Sequence, residues 1–135
     1  IKTISQKITK LFTDLDNLSN SIILDKTNII QQNEILTFGE LLSTNVFNEY
    51  QSLFKLGYEL VDSSKFIKSN NSSIELQNSH FMKGTFYCND YIFDLLQNKV
   101  LICQGFICST NDNFKCTLSR GGSDTTASLI ANNCR

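Results

Sequence analysis

Residues 99–108 read K-V-L-I-C-Q-G-F-I-C, and this stretch decides the fold class. A run so nearly continuous in apolar side chains is what strands covered on both faces of a parallel sheet show, whereas a half-exposed strand alternates. One central strand is therefore expected over 99–107. Downstream, 109–113 reads as a turn and 114–118 as a short strand, and S-R-G-G-S-D at 119–124 opens a helix that continues to the end of the sequence. Upstream, 85–97 reads as a helix with Ile92, Leu95 and Leu96 turned inward, and 58–61 is a short strand candidate. The Ser-, Asn- and Lys-rich stretch 62–79 reads as a surface loop. Two helical patterns come first. Over 1–24, Ile1, Ile4, Ile8, Leu11, Leu15, Leu18 and Ile22 draw one stripe, and over 34–55 the core positions read as Leu36, Leu42, Val46, Tyr50, Leu53 and Phe54, with Gly57 as the stop signal. The two helices are expected to pair antiparallel. Helices alternating with buried strands define a layered α/β domain. The first stripe is at full amplitude from Ile1 with no cap before it, as in an element entered part-way.

With 135 residues, 41% of them hydrophobic and 19% charged, the composition is that of one globular domain. Twelve Lys and Arg against 13 Asp and Glu leave a formal charge of -1. That gives no basic field for neutralising phosphates, so nucleic-acid binding is excluded as a leading class. No apolar run approaches the roughly 18 residues of a membrane span, and Lys2 is not followed by a signal-peptide core. The simplest reading is soluble and cytoplasmic, with no membrane partner. Five cysteines, an odd number without C-x-x-C spacing, argue for reduced thiols rather than a disulfide framework or a zinc knuckle. A single histidine, His80, offers no second imidazole, so no metal site built by the protein alone is expected.

Three motifs carry chemistry. In S-R-G-G-S-D, Gly121 and Gly122 let the backbone approach a ligand closely, while Ser123 and the free N–H groups of the following helix face it, which makes an anion loop. Arg120 adds a planar fork of donors for a carboxylate or phosphate, and Asp124 a negative charge that the helix dipole favours. The plainer alternative is a glycine turn with a serine cap and a surface ion pair. No G-K-[ST] follows, so this is not a Walker loop. In F-G-E-L-L-S-T, residues 38–44, Gly39 inside a helix suggests close packing or a ligand against the backbone, and Glu40 shares its face with Leu36, Ser43, Thr44 and Phe47. A partly buried carboxylate there should have a cationic partner; otherwise Glu40 is one more solvated helix glutamate. In C-Q-G-F-I-C, Gly105 lies where open α/β sheets bind ligands, beyond the carboxyl ends of their strands, and Phe106 is either core or a wall of that crevice.

Taken in order, F-G-E-L-L-S-T, Q-G-F-I and T-L-S-R-G-G-S-D-T-T-A-S-L-I resemble the aspartate kinases of the amino-acid kinase superfamily, over about residue 35 to the C-terminus. The resemblance implies an α/β/α amino-acid kinase fold, present in part, and ATP-dependent phosphorylation of the L-aspartate side chain at the head of lysine, threonine and methionine biosynthesis. Glu40 then resembles the glutamate that pairs with the substrate α-amino group, and Arg120 the arginine that holds a substrate carboxylate. Ser123 would donate to the aspartate, Phe106 would line the pocket, and Asp124 would orient the catalytic lysine. Ser119 departs from the family, which usually has glycine there. The family's K-F-G-G-[TS]-S lysine loop, its nucleotide-binding segment with a W-T-D-V-like strand, and its ACT domains are not in these residues. The chain is thus expected to be part of one catalytic domain, with ATP and Mg2+ needed by the complete enzyme and seated largely outside it. Other readings stay open: a non-catalytic amino-acid-binding or interaction module of the same fold, or another amino-acid kinase, such as one acting on glutamate or acetylglutamate. Self-association into a homo-oligomer is also left open.

Overall fold

A computed structural model describes residues 2–24, 28–72, 85–96 and 99–134. Helix α1, Lys2–Leu24, is followed by α2, Ile29–Leu53. Their sense is set by Lys7, whose ammonium meets the Glu49 carboxylate at 2.9 Å, and by an apolar groove in which Leu11 and Leu15 face Phe38 and Leu42. Numbers rise along one helix as they fall along the other, so the pair is antiparallel as expected. The second helix begins five residues earlier than its hydrophobic pattern suggests, because the Asn28 side chain accepts from the Gln31 N–H at 3.1 Å and caps it. It ends at Leu53; Lys55 and Gly57 both take positive φ, 54° and 73°, which turns the chain out of the helix.

The face of α2 requires a correction. Leu36, Val46, Tyr50, Leu53 and Phe54 are exposed, whereas the buried residues of this helix are Asn33, Thr37 and Gln51. Polar groups can face inward here where they find partners, as the Thr37 hydroxyl does by donating to the Glu34 carbonyl at 2.7 Å. Gln51 is the clearest case: its amide donates to the Tyr58 carbonyl at 3.1 Å and accepts from the Tyr58 N–H at 3.3 Å, joining the helix to the first strand.

Six strands follow the helices among the described residues: β1 (Glu59–Val61), β2 (Ile67–Ser69), β3 (Phe86–Cys88), β4 (Leu101–Cys103), β5 (Ile107–Thr110) and β6 (Lys115–Thr117). Strands β1 and β4 pair in parallel, and β3-β2-β5-β6 form a mixed sheet in which β2 and β5 run parallel. Helix α3 (Tyr91–Leu96) precedes β4 and α4 (Gly122–Asn133) follows β6. The fold is mixed α/β, as expected, with three local corrections. The apolar run 99–108 is two strands in two different sheets, because the chain turns sharply at Gly105 and Phe106 between them. Residues 62–79 are not a loop throughout. A 3₁₀ turn at Ser63–Lys65 leads into β2, and Phe66 and Ile67 are fully buried; residues 73–79 lie outside the described residues. Finally, the segment expected to be one helix over 85–97 opens with β3, although Ile92 is buried as expected. No helix among the described residues is long and apolar enough to cross a membrane.

The 3₁₀ turn is fastened by Asp62, whose carboxylate accepts from the Ser64 N–H at 3.0 Å and the Ser64 hydroxyl at 2.7 Å and lies 3.5 Å from the Lys115 ammonium. Burial alone would push its pKa up, but the Ser64 hydrogen bonds and Lys115 together outweigh burial and hold it below the ordinary 3.8. A depressed folded-state pKa contributes stability that is complete above the unfolded value and is lost as pH falls through the folded one. Asp62→Asn is therefore expected to lower the urea midpoint at pH 7, and the gap to the parent should close below the ordinary 3.8. A gap that is the same at pH 7 and at low pH would show that the Asp62 charge plays no part.

Candidate functional site

The site is built where β4 ends. After Cys103 the chain passes through Gln104, Gly105 and Phe106 before β5, and the Ile107 N–H closes back onto the Gly105 carbonyl at 2.7 Å. Phe106 takes φ 67° at the centre of this three-residue turn, a strained conformation for a bulky side chain. Neighbours hold it there. The Phe106 N–H donates to the Thr126 hydroxyl at 3.2 Å, and its carbonyl accepts from the Leu118 N–H at 2.7 Å.

Two glycines allow the turn and α4 to interlock. A Cβ on Gly105 would lie 2.5 Å from the Ser123 Oγ, and one on Gly122 would lie 2.7 Å from the Phe106 ring and 2.9 Å from the Leu118 Cβ. Gly105 and the start of α4 therefore pack directly together after the carboxyl end of β4. Helix α4 starts after Gly121, whose φ of 77° suits glycine, and no side chain caps it. The N–H groups of its first turn, from Gly122 to Asp124, have no acceptor within the helix.

Glu40, on α2, faces this interlock. With Gln104, Gly105, Ser123 and Thr126 it lines an open cavity of about 540 Å³. Glu40 is half-buried, and among the described residues its carboxylate has no cationic partner. Gly39 beside it is not a close-packing glycine, since a Cβ there meets nothing within 4 Å. The wall residue Cys103 stays a neutral thiol, because burial pushes it above its ordinary value against an opposing hydrogen bond from Ser63.

The structure thus brings together Glu40, Gly105 and Ser123 and places Gly122 beneath Phe106. Phe106 itself is half-buried and packs against the core, and it is not among the residues that line the cavity. Arg120, Gly121 and Asp124 are exposed at the start of α4, and neither Arg120 nor Asp124 forms an ion pair with a described residue. Two residues of the site carry no weight in the motif reading. Thr126 is buried, donates to the Gly122 carbonyl at 3.0 Å and receives the Phe106 N–H, and so ties the turn to the helix. Gln104 is the other: it stands in the Q-G-F-I motif, but no role is assigned to it there, and its burial is the new observation.

A mixed α/β domain in which a glycine-opened helix start packs on the turn that follows a parallel strand is the class these features define. The chain belongs to the amino acid kinase family, whose pattern it matches over residues 4–135. Its structure is similar to that of E. coli aspartokinase III in complex with lysine and aspartate, in the T-state, with a TM-score of 0.80 and 26% identity over 98% of this chain. The R-state of that enzyme, in complex with aspartate and ADP, gives 0.79 and 26% identity over 97%. In each case the chain spans 29% of the length of the aspartokinase chain. No curated protein matches the sequence.

Proposed function

We propose that the chain is the amino-acid-recognising part of an aspartate kinase, which transfers the γ-phosphoryl group of ATP to the side-chain carboxylate of L-aspartate. One observation carries this reading: Glu40 is a half-buried carboxylate without a cationic partner among the described residues, and it shares its cavity with Gly105 and Ser123. Keeping an unpaired carboxylate partly out of water is unfavourable unless a cation joins it, and a substrate ammonium is such a cation. The likeness to E. coli aspartokinase III, which was captured with aspartate, supports the choice of amino acid.

In this reading Glu40 pairs with the α-amino group, Ser123 donates to the amino acid, and Arg120 supplies a two-pronged contact to one carboxylate. Gly121 and Gly122 keep the first-turn N–H groups of α4 accessible to an anion. Asp124 orients the cationic side chain that accompanies the phosphates. That lysine, the nucleotide seat and Mg2+ come from other parts of a longer cytoplasmic protein, of which residues 1–135 are one portion of the catalytic domain. Phosphoryl transfer depends on positioning and on charge stabilisation, so a domain that fixes the acceptor carboxylate supplies one half of the chemistry.

Full-length protein incubated with ATP, Mg2+, L-aspartate and hydroxylamine should yield aspartyl hydroxamate, and L-glutamate or N-acetyl-L-glutamate should yield little product. Absence of product with aspartate would sink the reading. Asp124→Asn is expected to lower kcat about tenfold while both KM values stay within about twofold, since it acts on the charge that accompanies transfer rather than on binding. A rise in the aspartate KM with unchanged kcat would move Asp124 into the binding group.

A further inference from the structure

Gln104 joins the elements that meet at the cavity. Its side chain is 3% exposed and occupies the connection between β4 and β5. The amide oxygen accepts from the Ser63 N–H at 2.9 Å, and the backbone carbonyl accepts from the Ser63 hydroxyl. On the other side, the amide nitrogen reaches the Thr44 hydroxyl at 3.5 Å, the loosest contact of the set. Thr44 in turn donates to the Glu40 carbonyl at 2.7 Å, one helical turn back. A chain of hydrogen bonds therefore runs from the 3₁₀ turn through Gln104 to the turn of α2 that carries Glu40.

A primary amide is both donor and acceptor in fixed relative directions. Here the acceptor end is held by one element and the donor end by another, so the amide sets the spacing between them. Gly105, which follows directly, takes its position from the same residue, and Ser123 is packed against Gly105. We propose that Gln104 is a positioning residue for amino-acid recognition: it holds Glu40 at a set distance from the Gly105–Ser123 contact and thereby sets affinity for the amino acid. The inference rests on the reading of this cavity as the amino-acid site.

The test uses the full-length protein and calorimetric binding, without ATP, of L-aspartate, L-glutamate and N-acetyl-L-glutamate, with MgADP as the comparison ligand. Gln104→Leu and Thr44→Val are expected to weaken binding of the preferred amino acid about tenfold and to leave MgADP affinity within about twofold. Gln104→Glu keeps the acceptor for Ser63 but presents a donor to Thr44 only when protonated, and burial raises the pKa of such a carboxyl. Its deficit relative to the parent should therefore shrink as pH is lowered from 8 to 6, while that of Gln104→Leu stays constant. Thr44→Val probes the same link from the other side should the Gln104 variants fail to fold. Equal losses for amino acid and nucleotide, unchanged amino-acid affinity, or a pH-independent deficit in Gln104→Glu would overturn the inference. A parent that binds none of the three amino acids removes the amino-acid reading and this inference with it. A parent that binds one, with Thr44→Val and Gln104→Leu unchanged, removes only the inference.

Discussion

Glu40→Ala and Arg120→Ala in the full-length protein are each expected to lower kcat/KM for L-aspartate by about 30- to 1000-fold, or about 2 to 4 kcal/mol of transition-state stabilisation, with the ATP term nearly unchanged. The magnitude follows from leaving a desolvated charge of the substrate without its counter-charge. The two variants should differ in degree. Glu40 lines the cavity and is half-buried, so its loss should fall mainly on aspartate binding. Arg120 is exposed ahead of α4 and outside the cavity lining. In the proposed role it contacts a substrate carboxylate from an exposed position, so its variant should fall at the low end of that range. Steady-state constants with an unchanged aspartate term for both variants would refute both assignments.

The parts of this site that were legible in the sequence are those whose chemistry is local. S-R-G-G-S-D announces a glycine loop that opens a helix and a pair of opposite charges within six residues, and the structure shows α4 starting directly after Gly121. The α1 stripe was equally plain, since an amphipathic helix repeats its signal over many turns. Long-range partnerships left no such trace. Strand β2 is only three residues long, too short for alternation to register, and its surroundings are rich in serine and asparagine. Those polar residues are buried because the fold supplies them with partners: the Ser63 hydroxyl bonds Gln104, and Ser109 donates to the Ser64 carbonyl at 2.7 Å. The inward face of α2 misled for the same reason. Apolar periodicity marks the side chains that avoid water, not the amides that secure a neighbouring strand, as Gln51 does. Cysteines 108 and 116 were read as reduced, but not as neighbours. They are register partners on β5 and β6 with sulfurs 3.2 Å apart, and the adjoining thiol together with burial pushes Cys108 above its ordinary value.

Gly105→Ala is expected to destabilise the full-length protein by about 2 to 3 kcal/mol, near the upper end for overpacking by one methyl group. The backbone is not the obstacle, because φ at Gly105 is outside the positive range that disfavours alanine. The obstacle is Ser123, whose Oγ, Cβ and Cα would lie 2.5, 2.7 and 3.0 Å from the added carbon. Rotating the hydroxyl relieves only the first of these, since Cβ and Cα move only with α4 itself. The start of that helix must retreat from the turn, which also disturbs the Phe106–Thr126 hydrogen bond that ties them. Ser123→Gly removes the two nearest atoms, so the double variant should recover stability beyond the sum of the single effects, with a coupling of about 1 to 2 kcal/mol. Gly39 supplies the contrast: it is an exposed helix glycine whose added Cβ would meet nothing within 4 Å. Alanine there should stabilise by about 0.5 to 1 kcal/mol through helix propensity alone. Denaturant midpoints of the four variants and the parent decide the matter. A Gly105→Ala protein as stable as the parent, or a double variant no better than the summed singles, would mean that Gly105 and Ser123 are not packed together.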